Sequence, residues 1–169
     1  RRQGESTMKV KIGDYKDDGE REISVKIDKW DTYSMDHTLA MIAHPMLVQL
    51  RDTTHGSPFV VFEDRPEHLI GTVPIRERGD IDEFHHDAWQ WVLTEMIHAF
   101  ESKLSDDWQG QFYTGKADYQ FVDRGEDFSE MVHGPKHTLK CDTDGMTAYQ
   151  ERISNGFRLF GKYYENLWD

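Results

Sequence analysis

Between Gly145 and Asp169, large apolar side chains recur every three or four residues: Met146, Tyr149, Ile153, Phe157, Phe160, Tyr164 and Leu167. On a helix these fall on one stripe, with Tyr163 and Trp168 at its edges. Arg152, Asn155, Arg158, Lys162 and Glu165 fall on the other side. A helix-period pattern kept over about seven turns predicts a long amphipathic helix that acts as the main packing element. Asp142 or Thr143 is placed to cap its start. Gly156, beside the stripe, implies close approach of another helix or the sheet.

The N-terminal pattern has a different period. Met8 to Ile12 and Ile23 to Ile27 alternate apolar and polar residues on either side of Asp17-Asp18-Gly19. That predicts a β-hairpin with one buried face made of Met8, Val10, Ile12, Ile23, Val25 and Ile27. Short strands are also expected at Tyr119–Val122, Ser129–Val132 and Thr138–Cys141, separated by Gly125 and the Gly134-Pro135 turn.

Two further helices are predicted, at about Met35–Thr53 and Asp82–Leu104. Ser34 or Thr32 suits the first N-cap, Gly56 suits its exit, and Pro45 predicts a kink near Met41. Its main apolar side holds Met35, Leu39, Ile42, Met46 and Leu50, and the opposite side His37, Met41, His44 and Val48. The second helix places Trp89, Leu93, Met96, Ile97 and Phe100 against Phe84, Asp87, Trp91, Thr94, Glu95 and His98. Neither back face has a solvent composition, so both helices are expected to be covered on two sides. His55–Gly79, punctuated by Pro58, Pro66 and Pro74, reads as a long irregular connection. The fold class is therefore α+β: three main helices packed on a small antiparallel sheet that includes an N-terminal β-hairpin.

Composition narrows this picture only modestly. The chain has 169 residues, 37% hydrophobic and 12% aromatic, enough for one globular domain from residue 8 to 169. Arg1 to Thr7 carry no periodicity and are expected to be a disordered added leader or upstream remnant, with Met8 as the natural start. No apolar run approaches the ~20 residues of a membrane span. Cys141 has no partner for an internal disulfide, and suits a strand position as a small hydrophobe in a reducing compartment. The net charge of −12 opposes direct nucleic-acid binding. Asp80 to Gln109 holds eight acidic residues against Lys103 alone, a solvated acidic face or a partner site.

Ligand-type residues gather on the back faces of the first two helices. Glu95 and His98 have the Glu-x-x-His spacing that puts two metal ligands one turn apart, and His37 and His44 lie two turns apart. Antiparallel neighbours could bring His37, His44, Glu95 and His98 onto one transition metal ion; the competing reading is structural, with His and Glu satisfying each other. Asp142-Thr143-Asp144-Gly145 resembles part of a calcium loop but lacks its other ligands, which favours a helix cap. His85-His86-Asp87 reads as an exposed, acid-paired first turn. Thr54-His55-Gly56-Ser57-Pro58 joins a Ser to a His without the strand-turn-helix setting of a nucleophile. No catalytic or cofactor-binding residue is assigned.

Several segments resemble a family of tailed-bacteriophage proteins of no established activity, common in marine and environmental phage sequence. They are DHTLA at Asp36–Ala40, THGSP at Thr54–Pro58, PEHL at Pro66–Leu69, EMIHAFE at Glu95–Glu101 and the C-terminal Gln150–Asp169. The resemblance implies a phage protein acting in the infected bacterial cytoplasm or packaged with the virion. Together these features predict a non-enzymatic accessory factor that binds a host or phage protein, functions as a homo-oligomer, and has no cofactor. An acidic DNA mimic is one form of this idea. The alternative is a metal-dependent, hydrolase-like enzyme using the His/Glu set, with the metal activating water.

Overall fold

The computed structural model describes residues 8–71, 80–125 and 128–168. The expectations for residues 1–7, and for the stretch 72–79 of the irregular connection, lie outside these residues. Strands β1 (Lys9–Tyr15) and β2 (Arg21–Lys26) form the N-terminal hairpin, with Val10 opposite Val25 and Ile12 opposite Ile23. Gly19, at φ +80°, makes the turn in a conformation that L side chains rarely adopt. Two more antiparallel pairs follow: β3 (Tyr113–Thr114) with β6 (Lys140–Cys141), and β4 (Tyr119–Gly125) with β5 (Phe128–His133). The fold class is α+β, and its strands are divided among three separate two-stranded ladders.

Three helices carry the core: α1 (Met35–Thr53), α2 (His85–Leu104) and α3 (Thr143–Lys162). Helix α2 is the central one. Ala88, Trp89, Val92, Leu93, Met96 and Ala99 are fully buried along it, because α1 and α3 both pack against it. Its expected two-sided coverage is what the structure has.

Helix α3 begins where expected. The Asp142 carboxylate accepts from Gly145 N at 2.9 Å, which uses this side chain as a cap and not as a calcium ligand. The buried line of α3 is turned from the expected stripe, however. It runs through Ile153, Gly156, Leu159 and Tyr163, while Phe157 and Phe160 are half-buried and Tyr164 is 65% exposed. Gly156 is the reason. A Cβ there would meet the Glu95 carbonyl oxygen and sit 2.6 Å from Ala99 Cβ. The two helix backbones meet at this glycine, so the residues beside it are drawn inward and the aromatics flank the contact. Phe157 and Phe160 then pack edge-on against Phe100, at 5.1 and 4.9 Å between centroids. The helix also ends earlier than the stripe implied, passing into a 3-10 turn at Tyr164–Asn166.

Helix α1 corrects the expectation more sharply. It meets α2 through Ala40 and Leu47, with Ala43, Val48 and Leu50 half-buried beside them. Its presumed core side, Met35, Leu39, Ile42 and Met46, is 39–65% exposed. Small residues let two helices approach closely, and both ends of the contact are pinned by polar bonds. Lys103 reaches Asp36 at 2.9 Å, and Gln90 donates to the Arg51 carbonyl at 3.1 Å. Helix α1 is therefore covered on one side only. The helix continues through Pro45 without interruption.

Candidate functional site

The four metal candidates do not form a ligand group, and no set of three His, Cys, Asp or Glu side chains is arranged to hold a metal among the described residues. His37, at the start of α1, places Nδ1 3.3 Å from the Lys103 carbonyl at the end of α2. His44 lies half-buried further along α1. Glu95 is buried and faces α3, where Arg152 clamps both of its oxygens: Nε at 3.2 and 2.9 Å, and Nη2 at 2.7 Å. His98 packs edge-on against Tyr149 at 4.9 Å, and its Nε2 is buried with no hydrogen-bond partner. Burial first, and the nearby Arg152 charge second, hold the His98 pKa below its ordinary value. A neutral imidazole packed on a phenol ring, beside a bidentate ion pair, joins α2 to α3. These residues fit a structural seam.

The loop before α2 supplies a second polar cluster that the sequence reading missed. Val60 is fully buried, with Asp64 and Arg65 close behind it in or beside a 3-10 turn at Phe62–Asp64. Arg65 and Asp82, both with fully buried side chains, pair at 2.6 Å, and Arg65 Nε donates to the Val60 carbonyl at 2.8 Å. The Arg65 guanidinium lies over the rings of Phe59 and Phe62, at 5.6 and 4.9 Å from their centroids. Asp64 receives Arg158 at 2.8 Å, Lys162 at 2.5 Å and the Tyr163 hydroxyl at 2.8 Å. Burial alone would raise the Asp64 pKa, but Lys162, Tyr163 and Arg158 outweigh it and hold the carboxyl below its usual range. Tyr163 is pushed up to about 12, by burial first and then by its bond to Asp64. Arg158 and Lys162, expected on the free side of α3, thus anchor the loop. His85 and His86 do the same from α2: His85 Nε2 lies 2.8 Å from the Ser57 carbonyl, and His86 Nδ1 2.7 Å from Ser57 Oγ. The first turn is paired with Ser57. Asp82 and Glu95 also remove two of the eight acids of 80–109 from the surface.

An apolar groove also lies open on the molecule. It has a volume of about 1240 Å³ and runs between α1 and the C-terminal end of the chain. Leu39, Ile42, Pro45 and Met46 form one wall, Phe160, Tyr164 and Leu167 the other, with Phe100 among the lining residues and Tyr15 of the hairpin reaching its edge. The hairpin itself departs from expectation. Val10, Ile12, Ile23, Val25 and Ile27 are 43–61% exposed, although their register puts the two cross-strand pairs on one face. An alternating strand supplies an apolar face, but a face is buried only where another layer meets it, and among the described residues no helix makes an extensive contact with this hairpin. Phe121, Phe128 and Met131 leave the β4–β5 ladder exposed in the same way. Cys141, on β6, is exposed as well.

No family model, no curated protein and no solved structure matches this chain. Its reading rests on its own geometry.

Proposed function

We propose that the chain is a non-enzymatic interaction factor that binds protein through the apolar groove between α1 and the C-terminal turn. One observation carries this reading. The bulkiest apolar stripe of α1 faces outward, continuous with the aromatic and aliphatic side chains of Phe160, Tyr164 and Leu167. Monomers rarely expose contiguous apolar patches beyond a few hundred Å², and larger ones mark interaction sites. A groove between two helices is also a common place for a partner's apolar face. The acids are a weaker basis for a partner, because two of those in the densest acidic segment are internally paired. This favours hydrophobic docking over mimicry of nucleic acid. The segments that resemble tailed-phage proteins suggest the setting, a tailed phage and its host bacterium, in which such a factor would be an accessory protein. No helix among the described residues is long and apolar enough to cross a membrane.

The reading is tested by affinity purification from infected cells with the intact chain and with Leu39→Glu, a substitution at a half-exposed position. The expected result is a protein recovered by the intact chain and lost with Leu39→Glu at unchanged melting temperature. Equal recovery by both, or recovery of no protein by either alongside a monomer in solution, would overturn it.

A further inference from the structure

Each chain carries two apolar surfaces that it leaves about half exposed: one face of the β1–β2 hairpin and the outward stripe of α1. From these we infer that the protein is a two-fold dimer in which the hairpin of one chain lies on α1 of the other, and the reverse. This rests on the reading of the groove as an interaction surface, and names its occupant as a second copy.

Two observations support a second copy. The first is the need of the hairpin. An isolated two-stranded ladder is marginal in water, and this one leaves Val10–Val25 and Ile12–Ile23 side by side and about half exposed. Among the described strand residues, Tyr15 alone lines its own chain's groove. The second is area. Five hairpin and four α1 side chains, 39–65% exposed, present on the order of 900 Å² per chain, against about 800 Å² per partner in a standard interface. A two-fold axis uses both surfaces of both chains at once, which is how an isologous interface closes without leaving a free face.

Sedimentation equilibrium on the full chain, from about 5 to 200 µM, tests the assembly. The expected mass is twice 19.9 kDa. Ile23→Lys on the hairpin and Met46→Lys on α1 should each weaken the dimer at least tenfold. Both positions are exposed within one chain, so a monomer that melts as cooperatively as the parent reports lost association and not misfolding. Exchange is tested separately in a Cys141→Ser background. Chains with Val25→Cys are mixed with chains carrying Met46→Cys and oxidised, and the mixed disulfide should exceed both like pairs. A mass of 19.9 kDa at every concentration overturns the proposal, as does a dimer unaffected by either lysine. So does a chain bearing both cysteines that links only within itself, which would mean the hairpin closes on its own helix. If the chain is monomeric yet the Leu39→Glu variant still loses a captured protein, the groove reading stands and only self-association fails. A monomer with no Leu39→Glu effect removes both.

Discussion

Gly156 and Gly161 lie close together in α3 and meet opposite surroundings. Gly156 is pressed onto the α2 backbone, whereas nothing lies within 4 Å of a Cβ built at Gly161. Gly156→Ala should therefore force the helices apart and cost about 2–3 kcal/mol. Gly161→Ala should stabilise by roughly 0.5–1 kcal/mol, through the lost freedom of the unfolded chain. Denaturant midpoints of the two variants should move in opposite directions. Equal shifts would mean the α2–α3 crossing is misplaced. The same scale shows what a sequence can hide. Gly156 could be read as a close-approach position because it lies beside an apolar stripe inside a helix. Arg158 and Lys162 could not be read as partners of Asp64, since nothing within the helix distinguishes a solvated cation from one reaching a buried carboxylate far along the chain. Arg158→Ala should cost about 1 kcal/mol, the loss of one half-exposed charged hydrogen bond. Tyr163→Phe, which removes the buried donor to Asp64, should cost about 1–3 kcal/mol.

Elements were legible where their period was strong, and their orientation was legible only where one face was plainly polar. The hairpin and the placement of α1, α2 and most of α3 follow from alternation and from 3.6-residue spacing, since backbone geometry fixes both periods. Which side of α1 meets α2 did not follow. Its two sides are similarly apolar, and close packing selected the smaller residues, Ala40 and Ala43, over the more hydrophobic Met35 and Met46. The metal candidates lie apart in the structure for a related reason. Glu-x-x-His spacing places two side chains on one face but does not choose the helix that face meets, and α3 brought Arg152. The contrast within α3 checks the corrected orientation. Leu159, absent from the expected stripe and fully buried, should lose about 3–4 kcal/mol on truncation to Ala, while half-buried Phe157 should lose about 2 kcal/mol. If Phe157→Ala proves the more damaging in chemical melts, the helix is rotated from the position described.

Taken as a whole, the molecule holds its layers together with buried polar groups between α2, α3 and the loop, and these set how its stability depends on pH. His98 has a folded pKa below the ordinary 6.5. The unfolded chain then binds a proton that the folded chain resists, so stability falls as pH drops below 6.5 and the loss levels off once the folded pKa is passed. Glu95 and Glu101 oppose this shift, and burial with Arg152 outweighs them. Asp64 acts in a lower window. Its folded pKa lies below the ordinary 3.8, so its contribution is complete above about pH 4 and disappears as pH falls through the folded value. His98→Gln removes the upper event alone. Melting temperatures of the two proteins should separate as pH falls below 6.5, the parent losing more, and run parallel once the folded His98 pKa is passed. Below about pH 4 both should drop together as Asp64 is protonated and releases Lys162, Tyr163 and Arg158. Identical slopes between pH 7 and 5 would mean that His98 titrates freely and that the seam between α2 and α3 admits water.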